Sequence, residues 1–306
     1  MTSQQRNTTV RGLSGRVNDA PTVGVVGLGR MGSAIAERLS ERYPVLGWDL
    51  RAVAVAGVET VADAVTLAER CDVIVSSLPS AVETRQVLLD SAFRSAFERS
   101  DAVFVDASTS SPDSIRTLAD ELGEPGERLV DAPILGRPES CGSWTMPVGG
   151  TAGAFERVQP VLGQVASRQF HVGELGSGHS IKLLNNMMFA AINVITAEAI
   201  GACGHMGVNP EAFVEIVGGS TAATVSPLFR SLAPRMLGED LETVFTVRLL
   251  DKDLRLAVEM CQQAGVPLIS APALQEATRR ALELGLAEQD SAALVYLYRP
   301  EAKHEQ

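Results

Sequence analysis

Val23-Gly24-Val25-Val26 runs straight into Gly27-Leu28-Gly29-Arg30-Met31-Gly32, and a helical pattern opens at Ser33. Four apolar residues, a glycine-rich turn and a helix start, in that order, are the parts of a dinucleotide phosphate loop. Each glycine has its own task. Gly27 permits the tight turn, Gly29 lets the main chain approach a pyrophosphate, and Gly32 lets the helix lie close on the strand. The free N–H groups and positive dipole end of the helix then face the phosphates. Asp49 closes the next apolar run, 20 residues after Gly29, where a carboxylate can hold both ribose hydroxyls. A 2′-phosphate would meet a like charge there, so NAD is preferred. Arg51, two residues on, keeps NADP possible.

Working outward, short apolar runs alternate with helical stretches. Val23–Val26, Val45–Trp48, Val73–Val75, Val103–Val105 and Leu129–Val130 read as buried parallel strands. Ala34–Leu39, Val61–Glu69, Val82–Leu89 and Ser114–Leu122 carry helical spacing between them. The alternation predicts an α/β Rossmann domain, a doubly wound parallel sheet, over residues 21–175. After Gly176 the strands stop, and residues 176–306 read as an all-α domain. It opens with a long interdomain helix over His179–His205, about 27 residues and roughly 40 Å. So apolar a helix has to be buried by its own domain or by a second subunit.

Of 306 residues, 45% are hydrophobic and 21% charged, as in a folded globular chain. The net charge of -11 argues against nucleic acid as partner. No uncharged apolar run reaches the length of a membrane span, so no membrane role is expected either. Cys71, Cys141, Cys203 and Cys261 are widely spaced, and the four histidines show no ligand spacing. Neither a metal nor a disulfide framework is expected, and a reducing, cytoplasmic setting is. Residues 1–20 are polar, with Arg6, Arg11 and Arg16 and no acid before Asp19. They read as a flexible extension, with a mitochondrial transit peptide as the alternative.

Lysine occurs only at 182, 252 and 303, which leaves 23 of the 26 basic residues as arginine. An amine can give up a proton in a buried site where a guanidinium cannot, so Lys182 and Lys252 stand out. Lys303, in the polar tail, reads as a surface charge. Lys182 and Asn186 lie four apart near the start of the long helix and share a face. Burial there would lower the lysine pKa and make the amine a proton donor and acceptor. A lysine that snorkels to solvent from the helix end is the alternative. His179, three residues before Lys182, is kept in view for its position. Leu78-Pro79-Ser80 and Asp106-Ala107-Ser108-Thr109 follow the third and fourth strands, where an open sheet binds its ligand. Their hydroxyls can reach a nicotinamide or serve as ordinary caps before Pro112.

These motifs together resemble the β-hydroxyacid dehydrogenases, the group of 3-hydroxyisobutyrate dehydrogenase and tartronate semialdehyde reductases. The resemblance runs from Pro21 to about Leu297. It is carried by Gly27–Gly32, Leu78-Pro79, Ser108-Thr109, Asp131-Ala132-Pro133 to Val148-Gly149-Gly150, Lys182 to Asn186, and Lys252-Asp253-Leu254. It implies an active site between the domains, with Lys182 as catalytic acid/base and Asn186 as its orienting, substrate-binding partner. It also implies Leu78, Pro79, Thr109 and Lys252 as cofactor contacts, Ser108 as a substrate contact, and a homodimer formed through the helical domain. The sequence departs from the family after Pro133, where a Val-Ser-Gly-Gly run is usual. Here Ile134-Leu135-Gly136-Arg137-Pro138 follows, and Trp144 stands where a smaller residue is common. Leu135, Gly136, Arg137 and Trp144 therefore point to a substrate bulkier or less polar than 3-hydroxyisobutyrate, or to Arg137 as the new carboxylate partner. Imine reductases share the architecture but generally lack the lysine. The 6-phosphogluconate dehydrogenases are much longer. A non-catalytic dinucleotide sensor would need only the phosphate loop and Asp49.

Overall fold

The computed structural model describes residues 20–221, 224, 226–238 and 243–299. The N-terminal extension up to residue 19 and Lys303 lie outside the described residues. The first half of the chain runs β1 Val23–Val26, α1 Arg30–Ser40, β2 Val45–Trp48, β3 Glu59–Thr60, α2 Val65–Arg70 and β4 Val73–Ser76. It continues with α3 Ala81–Leu89, α4 Ser91–Arg99, β5 Val103–Asp106, α5 Pro112–Leu122, β6 Leu129–Asp131, β7 Trp144–Gly149, α6 Ala152–Val165 and β8 Ala166–Gly173. The eight strands form one sheet in the order β3-β2-β1-β4-β5-β6-β7-β8. The order reverses direction between β1 and β4, which opens a crevice at the carboxyl ends of these strands.

The sheet is mixed, not wholly parallel as the alternation implied. β1 through β6 pair parallel, but β7 returns antiparallel to β6. Only a short loop and one 3-10 turn, Pro138–Ser140, join the two, and a parallel return needs a longer crossover. The helix α6 then provides such a crossover, so β8 lies parallel to β7. Both faces of the sheet are covered. One apolar cluster packs α1 and α6 on one side, and another packs α2, α4 and α5 on the other. Helix starts follow the local chemistry. Ser80, Asp90 and Thr151 cap α3, α4 and α6, while Ser111 caps α5 just before Pro112.

The second half is helical: α7 Ser177–Met206, α8 Pro210–Gly219, α9 Pro227–Leu237, α10 Val247–Gln263 and α11 Ala271–Glu283, with a 3-10 segment Ser291–Leu297. α7 has 30 residues, roughly 45 Å. By length and composition it could cross a membrane. One side of it, including Ala190, Val194, Ala197 and Ile200, belongs to the core of this helical bundle. Its first turn lies directly on the sheet. A Cβ at Gly178 would fall 2.6 Å from the carbonyl of Pro147, so only glycine fits that approach.

Candidate active site

The phosphate loop has the geometry its spacing predicts. Gly27 has φ +85°, and a Cβ there would sit 2.4 Å from the Ser77 carbonyl. At Gly32 a Cβ would fall 1.8 Å from the Gly27 carbonyl. Gly29 is different, because a Cβ there meets nothing within 4 Å. That residue faces open space at the start of α1, which no side chain caps. The helix begins at Arg30, three residues earlier than the pattern at Ser33 suggests, so Arg30, Met31 and Gly32 form its first turn. An uncapped helix N-terminus with open space before it fits a diphosphate.

Asp49 faces this loop. One carboxylate oxygen accepts the Leu28 N–H at 2.8 Å, and the other accepts the Arg51 N–H at 2.8 Å. The Arg51 guanidinium pairs with it at 3.3 Å but is itself largely exposed. Burial pushes the carboxyl up, yet the N–H donors and the Arg51 charge outweigh it, and the net shift is downward. Asp49 is therefore ionised, with Arg51 free to swing on its stem.

On the other side of the crevice α7 brings Lys182 against the end of β6. Its Nζ donates to the Ile134 carbonyl at 2.7 Å. Burial pushes the ammonium pKa down; Asp253 opposes this and Lys252 adds to it, and the net value lies below the ordinary lysine range. Asn186 is buried, and its Nδ2 donates to Asp253 at 2.6 Å while its Oδ1 accepts from Asn185 at 3.0 Å. Asp253 also pairs with Lys252 at 3.2 Å. Lys252 reaches from α10 to the loops of the sheet, donating to the Thr109 carbonyl at 3.0 Å and the Pro79 carbonyl at 3.3 Å. Asn186 and Lys252 are thus joined through Asp253, and through Lys252 to Thr109 and Pro79, while Lys182 feels the Asp253 charge without bonding to it.

The remaining expected residues take other positions. Ser108 is buried, and its hydroxyl accepts the Leu78 N–H at 3.0 Å, tying the loop after β5 to the loop after β4. Trp144 is 1% exposed and faces the core beside Met146 and Val148. Its indole donates to the Arg137 carbonyl at 2.7 Å and lies so close to Gly136 that a Cβ there would be 2.1 Å from the ring. The indole supports this loop from behind, which corrects the expectation of a bulky group packing directly on Trp144. Leu135 bridges to Thr145, and the Arg137 N–H goes to the Ser140 hydroxyl. Among the described residues the Gly136 N–H and the Arg137 guanidinium have no partner, and both residues are exposed.

Three buried groups complete the site that motif reading did not assign. Asp131 accepts the Gly176 and His179 N–H groups at 2.6 and 2.7 Å, holding the start of α7 on β6. Asp106, at the end of β5, accepts from Ser76 Oγ at 3.0 Å and the Ser108 N–H at 3.1 Å. His179 Nε2 stands 3.4 Å from the other Asp106 oxygen. Their signals in the sequence were polarity at the end of an apolar run for Asp106 and Asp131, and for His179 its place three residues before Lys182.

A Rossmann sheet, an open phosphate loop and a depressed lysine across the crevice define a nicotinamide-dependent oxidoreductase. Residues 22–173 match the NAD-binding domain model of 6-phosphogluconate dehydrogenase, and residues 176–298 match the NAD-binding model of NADP-dependent 3-hydroxyisobutyrate dehydrogenase. An uncharacterised oxidoreductase of Synechocystis is 30% identical over 90% of this chain and 98% of its own. The 2-(hydroxymethyl)glutarate dehydrogenase of Eubacterium barkeri is 29% identical over 90% and 94%. A crystal structure of 3-hydroxyisobutyrate dehydrogenase from Salmonella typhimurium superposes with a TM-score of 0.80 at 26% identity, over 90% of this chain and 99% of that one. The chain belongs to the β-hydroxyacid dehydrogenase family, of the 3-hydroxyisobutyrate dehydrogenase type.

Proposed function

We propose that this protein moves a hydride reversibly between a nicotinamide and the carbinol carbon of a β-hydroxyacid, or its semialdehyde, with Lys182 as the general acid/base. The observation that carries this reading is the Lys182 amine held at 2.7 Å on the carbonyl of Ile134, in the loop that carries Gly136 and Arg137, with burial lowering its pKa. When bound, the dinucleotide supplies the ring that accepts or donates the hydride. In oxidation the neutral Lys182 Nζ takes the substrate hydroxyl proton. One of its N–H groups can stay on the Ile134 carbonyl, which leaves the lone pair for the substrate. In reduction the ammonium returns the proton to the forming hydroxyl oxygen. Asn186, oriented by Asp253, holds the substrate oxygen in line with Lys182.

The free Gly136 N–H and Arg137 guanidinium are the groups we assign to the substrate's acid, with Leu135 giving apolar contact beside them. The loop lacks the hydroxyl usual in the family, and a guanidinium grips a carboxylate in two places. The substrate is then an acid bulkier or less polar than 3-hydroxyisobutyrate. Asp49, ionised and already holding the phosphate loop, favours NAD over NADP. Residues 21–175 form the dinucleotide domain, which also lends the substrate loop, and 176–306 supply Lys182, Asn186 and the dimer contact. Ile181, Leu184, Met188, Ile195 and Met206 are exposed and fall on one side of α7, which supports a homodimer through this helix. Four free cysteines support a reducing compartment such as the cytoplasm.

The test is a rate screen by nicotinamide absorbance with NAD and NADP, β-hydroxyacids and their aldehydes, and a few cyclic imines. Turnover of an acid-bearing substrate that disappears in Lys182→Ala is the expected result. Turnover confined to imines would move the chemistry to C=N reduction. Tight NAD binding without turnover of any substrate would favour a sensor. Arg137→Ala should raise KM for the acid at least tenfold with kcat little changed, on the order of 1.4 kcal/mol of lost binding; an unchanged KM removes Arg137 from the site.

A further inference from the structure

We infer that the His179–Asp106 pair is a positioning device for Lys182, a role that rests on the acid/base reading of that lysine. His179 and Asp106 are 0% and 1% exposed, and their side chains meet at 3.4 Å in the interface between α7 and the sheet. Neither ring nitrogen of His179 makes an aligned hydrogen bond among the described residues. Asp106 and Asp131 are direct neighbours in register across β5 and β6, so two buried carboxylates lie side by side. Asp131 is met by two N–H groups at the positive end of α7, whereas Asp106 has, among the described residues, Ser76, Ser108 and the imidazole. Burial disfavours the imidazolium, but Asp106 and Asp131 overcome it despite Lys252 nearby, and the net pKa of His179 is raised.

The placement of the pair makes it a node. On its helix side, Lys182 is one turn from His179 and shares the short rigid stretch that Asp131 clamps. On its sheet side, Asp106 orders Ser108, whose hydroxyl holds the Leu78 N–H, and Thr109 follows at once. Thr109 in turn receives Lys252, which is paired with Asp253, the partner of Asn186. The His179–Asp106 pair therefore sets the distance between the helix that carries the proton-transfer group and the loops on the cofactor side. A displacement of about 1 Å between such groups can lower a rate by ~10²-fold.

The test compares His179→Gln, Asp106→Asn/His179→Gln and Lys182→Ala in the full chain, with a substrate found in the screen above. We expect His179→Gln to lower kcat by about 10- to 100-fold. Dinucleotide affinity and substrate KM should stay within a few-fold, and the solvent isotope effect on kcat should rise, because proton transfer becomes slower. A merely structural role would lower the melting temperature without moving the isotope effect. If His179→Gln alone does not fold, the double variant carries the test, since it leaves no buried charge unpaired. Wild-type kcat and isotope effect in either folded variant, with Lys182→Ala inactive, would overturn the positioning role and leave the lysine assignment standing. Normal turnover by Lys182→Ala would instead remove the reading on which both rest.

Discussion

At the phosphate loop the protein presents bare main chain: three glycines, an uncapped helix start and one carboxylate facing it. Where α7 meets β5 and β6 it presents side chains instead, with Asp106, Asp131 and His179 in one cluster, Asn186, Asp253 and Lys252 in a second, and Lys182 held on the Ile134 carbonyl. The first region depends on the space a backbone leaves. The second depends on buried charge held in balance. A group buried without its partner costs several kcal/mol, so the second region has to be complete to exist at all. The phosphate end tolerates exchange of its exposed charges but no added atom at Gly27 or Gly32.

The largest effect should come from removing the proton without removing the charge. Lys182→Arg keeps a cation but cannot lose it near neutral pH. In oxidation kcat should fall by roughly 10²- to 10⁴-fold while dinucleotide affinity, read by fluorescence titration, stays within a few-fold. Comparable losses in both quantities would mean that the two regions are not separable. In the wild type, the rate of oxidation should rise with pH and level off above a pKa that lies below the ordinary lysine range, if the neutral amine is the proposed base. The reducing direction should show the opposite limb.

Glycine substitutions divide the phosphate loop in the same way. Gly32→Ala forces a methyl group onto the Gly27 carbonyl and should destabilise the fold by about 3 kcal/mol or more. Gly29→Ala meets open space at an ordinary backbone angle and should change stability by less than about 1 kcal/mol. It should nevertheless weaken dinucleotide binding, since the methyl group occupies the approach to the pyrophosphate. Denaturant melts and a binding titration separate the two, and equal stability losses would sink the distinction.

The charged region should also give stability its shape against pH. His179 is raised, so its contribution is full below the ordinary histidine pKa and is lost as pH rises through the folded value. Asp106 is lowered: burial pushes it up, but His179 and Ser108 prevail. Its contribution is present above the ordinary carboxylate pKa and is lost as pH falls through the folded value. The melting temperature should show a plateau between these limits, and Asp106→Asn/His179→Gln should flatten both flanks. Flanks that persist unchanged in the double variant would place the titration elsewhere.

How much could be read in advance follows the same division. The phosphate loop is local, and Gly27, Gly29, Gly32 and Asp49 lie within one strand-helix-strand unit, so spacing alone carries their geometry. Fully buried strands such as β1 and β4 announce themselves as apolar runs. β8 is an edge strand with half its residues exposed and no clean period, and α6 has helical spacing at Ala154, Val158, Val161 and Leu162 but holds Pro160 inside it. The charged contacts join distant positions, 48 residues apart for Asp131 and His179 and 67 for Asn186 and Asp253, and no periodicity links them. Trp144 is the clearest case. As a large residue beside a substrate loop it suggested a contact, but its ring fills the core and its N–H holds the loop.

The smallest effect belongs to Arg51, and it sharpens the contrast most cheaply. Its guanidinium is 74% exposed while the Asp49 carboxylate is 10% exposed, so the pair is half in water. Such a pair contributes on the order of 0–1 kcal/mol, and Arg51→Ala should leave the melting temperature nearly unchanged. Cofactor choice is another matter. With Asp49 still ionised by the Leu28 and main-chain N–H groups, NAD binding should be hardly altered. Any residual NADP use should shrink, because the cation beside Asp49 that could meet a 2′-phosphate is gone. Ratios of kcat/KM for the two cofactors, wild type against Arg51→Ala, decide it. A rise in NADP use would mean that Arg51 serves Asp49 alone, and that the phosphate end owes its selectivity to the carboxylate and the main chain that orders it.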